Sequence, residues 1–182
     1  MPERSGAPDG EQEDATEEGR AMEELLRSAG VVEETPDGED LQLTAAFEEA
    51  WYGRIERMSD RDRAVRWLAA LHGASPAEVS VDDGEPFVVD VPGAPTRQWP
   101  SEAAFTAAIV VEPTLAEWIP ESEWEELPED RRHELSARLL LFLERCPSCG
   151  TDLAVSETVA DGTVEVSLDC PDCGTTVFAG SY

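Results

Sequence analysis

The chain has 182 residues, with 41 acidic against 13 basic side chains and a formal net charge of −28. That length suits one modest core plus a small module or tail. No apolar run approaches the roughly 20 residues needed to span a bilayer. Met1-Pro2-Glu3-Arg4-Ser5 also lacks the basic and apolar regions of a signal peptide, so a cytoplasmic protein with no membrane association is expected.

Residues 1–20 set Gly6, Pro8, Gly10 and Gly19 among acids with almost no large apolar side chains, too little to offset the entropy of ordering. A disordered acidic tail over 1–40 is predicted. It is interrupted by a short helix over 21–29, on which Met22, Leu25 and Leu26 share a face, and it ends in a turn over Thr35–Asp40.

An α-rich domain is predicted over 41–145. Phe47, Trp51, Ile55 and Met58 recur at helical spacing behind a Thr44 N-cap. Ser59 with Asp62 makes a capping-box signature for a second helix on which Val65, Leu68 and Leu71 align. Helices over 44–58 and 60–72 follow, closed by Gly73. Ser75-Pro76-Ala77-Glu78 opens a short element that Asp82-Asp83-Gly84 ends. Pro86–Pro92 reads as a strand and 93–100 as loop. Ser101 caps a helix through Ala107, and the β-branched Ile109-Val110-Val111 run then predicts a strand ending before Pro113. Trp51, Trp67, Trp99, Trp118 and Trp124 read as core and lid packing. The last helix follows Pro128, carries Leu135, Leu139, Phe142 and Leu143 on one face, and runs to Arg145.

All four cysteines lie in the remaining segment, 146–182. Cys146-Pro147-Ser148-Cys149-Gly150 answers Cys170-Pro171-Asp172-Cys173-Gly174, and two such knuckles at this separation have the spacing of a four-thiolate Zn2+ site. Pro147 and Pro171 restrict φ, while Gly150 and Gly174 permit the positive φ that turns following N–H groups towards sulfur. Between the knuckles, Leu153, Val155 and Val159 alternate with polar residues, Asp161-Gly162 is a hairpin turn, and Val164, Val166 and Leu168 alternate on the return. Thr176-Val177-Phe178 supplies a third strand. So small a sheet has little core, and the metal would supply folding free energy that apolar burial cannot. The fold class expected for the whole chain is α+β: a disordered acidic N-terminus, a mostly helical domain with a few short strands, and a small β module.

Residues 146–178 resemble the zinc-ribbon and CPxCG-type zinc-finger group of archaeal transcription, ribosomal and uncharacterised small proteins. The resemblance puts Cys146, Cys149, Cys170 and Cys173 in the ligand positions and implies structural Zn2+. A rubredoxin-like iron centre is the redox alternative, since four thiolates also hold iron. The composition has a resemblance of its own. Arginine without lysine, no asparagine, and acid excess in every segment are similar to the proteins of extremely halophilic archaea. Their carboxylate-rich surfaces stay hydrated at molar salt, where the Debye length is about 3 Å.

Two functions remain open. One is an interaction adaptor with a protein partner, in transcription or translation. The other is a DNA- or RNA-binding regulator using Arg54, Arg57 and Arg61, which share a face if one helix runs through Ser59. Acids interleave with those arginines, and 146–182 contains no lysine or arginine to neutralise phosphate, so the protein partner is preferred. No catalytic residue is predicted: His72 and His133 are the only histidines, His133 falls on a polar helix side, and no nucleophile motif or phosphate loop is present.

Overall fold

The computed structural model describes residues 9–181. Among these residues, six α-helices and eight strands form a helical core edged by three small antiparallel sheets. The first helix, α1 (Asp9–Ser28), extends the helix expected over 21–29 back into the stretch expected to be disordered; residues 1–8 of that stretch lie outside the described residues. Its Leu26 is buried, and Gly30 at φ 73° turns the chain so that Val31 and Val32 enter the core. Strands β1 (Val32–Glu34) and β2 (Leu41–Leu43) pair across the expected turn at Thr35–Asp40. The core thus extends N-terminal to Leu41, where the folded domain was expected to begin.

Helices α2 (Ala45–Arg57) and α3 (Arg61–Leu71) match expectation, with Phe47, Trp51 and Ile55 as the buried stripe of α2. Thr44 caps α2 through Phe47 N. The cap of α3 is Asp60 rather than Ser59: Asp60 Oδ1 accepts from Arg63 N at 2.8 Å, while Ser59 Oγ turns back to donate to Glu56 O. A carboxylate one residue closer to the helix takes the exposed N–H, and the chain breaks between the helices.

A second sheet joins β3 (Ser80–Asp82), β4 (Phe87–Asp90) and β5 (Arg97–Trp99). Only β4 was expected, because three-residue edge strands of polar composition carry no periodic signal.

The largest correction is α4 (Glu102–Trp118). It is a continuous helix through the Ile109–Val111 run and past Pro113, where a strand was expected. α4 lies at the centre of the core, with buried residues on all sides, so it shows no amphipathic period; the β-branched run is helical because packing overrides a weak intrinsic preference. Its buried hydroxyls are satisfied locally, Thr106 donating to Glu102 O and Thr114 to Val110 O. The Trp51 indole N–H donates to Ala107 O at 3.1 Å, so the deepest indole leaves no unpaired donor. Ser101 caps α4 as expected.

Short α5 (Glu121–Glu126) seats Trp124, and α6 (Glu129–Leu139) passes into a 3-10 turn over Leu140–Phe142. The helix therefore stops short of Arg145. Leu143 is extended, Glu144 O accepts from Leu153 N at 2.7 Å, and Arg145 bridges Asp152, so this backbone is recruited into sheet pairing instead of a last helical turn.

Candidate metal centre

The C-terminal sheet is built from β6 (Ala154–Ala160), β7 (Thr163–Asp169) and β8 (Thr176–Ser181). A two-residue turn joins β6 to β7, with Asp161 at φ 52° and Gly162 at φ 82°, the paired positive values a hairpin of this twist demands. The knuckles flank the sheet and repeat each other. Cys146 N donates to Thr151 O and Gly150 N to Cys146 O, both at 2.8 Å; Cys170 N donates to Thr175 O at 2.8 Å and Gly174 N to Cys170 O at 2.9 Å. Gly150 and Gly174 have φ of 77° and 72°, a conformation in which any Cβ is strained.

This repetition brings four sulfurs together. All four Sγ atoms lie within 4.8 Å of one another, with Cys146–Cys173 at 3.7 Å and Cys149–Cys170 at 3.4 Å. Sulfurs around a tetrahedral ion at a metal–sulfur distance of about 2.3 Å sit about 3.8 Å apart, so the cluster fits one ion held by Cys146, Cys149, Cys170 and Cys173. Cys146 and Cys170 are buried and Cys149 and Cys173 exposed, giving the site one inner and one outer edge.

The thiols differ in charge preference. Burial pushes Cys146 up to about 12, although the backbone N–H groups of Ser148 and Cys149 point at its sulfur. Cys173 is pulled down to about 6, first by the Thr175 hydroxyl at 3.1 Å and then by the Thr175 N–H. A cation held by the cluster would favour the thiolate form at all four positions.

The helical core positions the site through contacts absent from any cysteine motif. Tyr52 on α2 clamps the peptide immediately before the first ligand: its hydroxyl accepts from Arg145 N and donates to Arg145 O, each at 2.7 Å. The Arg145 guanidinium stacks over the same ring at 4.5 Å. Ser101, while capping α4, donates to Thr176 O at 2.6 Å, and Val177 and Leu168 bury into the core that α4 centres. Tyr52 carries no sequence signal, since it lies one residue off the apolar stripe of its helix.

The arginines expected as a nucleic-acid face are arranged differently. α2 and α3 are separate, so Arg54, Arg57 and Arg61 share no continuous helix face. Arg54 pairs with Glu117 at 2.5 Å, and Arg61 forks onto Asp83 and Glu102 with contacts of 2.6–3.1 Å. Arg57 is exposed. His133 is more than a solvated residue: it contacts Arg97 and Glu112 at the wall of a cleft. Among the described residues no helix is long and apolar enough to cross a membrane.

Fold and site together define a mixed helix-and-sheet protein with a four-cysteine centre suited to one metal ion. The chain belongs to a family of unknown function, DUF8054, whose central domain matches residues 21–140. The match runs from within α1 to the start of the 3-10 turn and ends before the first cysteine. No curated protein and no solved structure matches the chain.

Proposed function

We propose that the C-terminal segment is a zinc ribbon with a structural Zn2+ on Cys146, Cys149, Cys170 and Cys173, and that the protein is an interaction adaptor presenting this ribbon to a protein partner. The clustering of four sulfurs within 4.8 Å carries the metal reading. Four thiolates close a tetrahedral shell and leave no position for an activated water, which favours a structural over a catalytic ion. The partner reading draws on the ribbon's outer edge. β6 is exposed at every residue, with Val155 and Val159 at 62% and 74%, and its outer backbone groups are free to pair with an added strand. The zinc-ribbon resemblance directs the search for that partner to transcription and translation complexes.

Nucleic-acid binding is the second reading, and the carboxylate pairing of Arg54 and Arg61 speaks against it. Metal analysis of natively purified protein should find one zinc per chain and no iron-thiolate colour. Affinity purification from the native host at native salt should recover a protein partner that Val155→Asp with Val159→Asp abolishes. Tight, steeply salt-dependent binding of DNA or RNA, lost in Arg57→Gln, would replace the adaptor reading.

A further inference from the structure

A cleft of about 770 Å³, within the range of small-molecule sites, opens beside the helical core, outside the four-cysteine cluster. Four regions meet there: α3, β5 with α4, α5 with α6, and β8 of the C-terminal sheet. Three of the chain's five tryptophans, Trp67, Trp99 and Trp124, line it together with Phe178. Trp67, Trp99 and Phe178 stay half-buried, so flat apolar surface faces the opening. Trp99 is fixed by an edge contact with Phe105 at 4.9 Å, and Trp124 by Arg132 over its ring at 5.2 Å.

One polar chain crosses this apolar wall. Arg97 Nη2 lies 2.6 Å from His133 Nε2, and His133 Nδ1 lies 3.2 Å from Glu112 Oε2. A guanidinium has only N–H donors, so Nε2 accepts and the ring proton sits on Nδ1, donated to Glu112. His133 thereby bridges Glu112 and one N–H of Arg97, leaving the other N–H groups of Arg97 for a ligand. Among the described residues no carboxylate lies within ion-pairing distance of Arg97, a property it shares with Arg57, Arg63, Arg66 and Arg132, but Arg97 alone of these lines the cleft. The competing charges on the wall are Glu112, tied to His133, and Glu129, whose side chain is 85% exposed and 3.6 Å from Nε2.

We infer that this cleft binds a small aromatic or otherwise flat apolar carboxylate, its body against Trp67, Trp99 and Phe178 and its carboxylate on the guanidinium of Arg97. A bidentate contact between the exposed Arg97 guanidinium and a carboxylate supplies orientation, and the tryptophans supply area with little entropy loss. Because β8 forms one wall, such a ligand also braces the C-terminal sheet on α4.

Calorimetry on the full chain as purified tests this with three probes of one shape: naphthoate, the neutral naphthamide and the cationic naphthylmethylamine. Naphthoate should bind about tenfold tighter than naphthamide. Arg97→Gln should erase that preference while retaining amide binding, and Arg57→Gln should leave it intact. Ala179→Trp, an exposed β8 position at the cleft, should abolish binding of both. The inference is overturned if the amine binds best, if naphthoate shows no advantage, if Arg97→Gln keeps the advantage, or if none of the three binds.

Discussion

In the helical core, α4 buries ten of its seventeen residues, whereas in the C-terminal sheet β6 is exposed throughout and burial is confined to Leu168, Val177, Cys146 and Cys170. Full burial of one large apolar side chain stabilises by about 1.5–3 kcal/mol, and the core has many such residues where the sheet has two. The core holds by removing apolar surface from water; the sheet leans on its neighbour through Tyr52, Ser101 and Val177, and under the proposed metal reading it folds by holding four sulfurs on one cation.

The comparison breaks hardest at the cysteines. Structural zinc contributes about 10–16 kcal/mol in small zinc-finger peptides, so Cys170→Ser should remove bound metal and unfold β6–β8 while α2–α4 keep their helical circular dichroism. Metal content and near-ultraviolet signal check this, and a folded sheet in the metal-free variant would place its stability in the apolar contacts instead. The reverse experiment is Leu115→Ala at a fully buried α4 position. It should cost about 2–5 kcal/mol in urea unfolding and leave metal stoichiometry unchanged.

Tyr52→Phe tests the joint between the regions. Loss of both Arg145 hydrogen bonds should cost about 1–2 kcal/mol and speed metal transfer to a chelator. Burial raises the Tyr52 phenol from 10.0 to about 12, favouring the neutral hydroxyl in the folded chain. Its contribution is complete below pH about 10 and is lost as pH rises through about 12. A pH series of urea midpoints should show that decline in the native protein and a shallower one in Tyr52→Phe. The smallest effect is expected at Arg61→Gln. Its carboxylate fork is over a third exposed, so the loss should be about 1 kcal/mol or less and should shrink with added salt.

The same division governs what could be read from the residues. Knuckles, hairpin turn and alternating strands of the sheet were legible because each rests on local chemistry: cysteine spacing, a turn dipeptide, a period of two. In the core, the amphipathic stripe of α2 was legible for the same reason, whereas α3 buries Ala64, Leu68 and Ala69 in place of the Val65–Leu68–Leu71 face, and Leu71 is 64% exposed. α4 was not, since a helix buried on all sides has no period and its Ile109–Val111 run imitates a strand. Strands β3 and β5 were too short to carry a pattern. The end of α6 was misread because Leu143 continues the helical stripe while its backbone turns into sheet pairing. Tyr52 and the Arg97–His133–Glu112 chain depend on long-range approach, for which one sequence holds no signal.

The most direct test of the account is amide hydrogen exchange on the full chain before and after metal removal by a chelator. Protection in β6, β7 and β8 should collapse while α2 and α4 remain protected. Unchanged protection of the three strands in fully metal-free protein would contradict the claim that a metal on four thiolates holds the C-terminal sheet together.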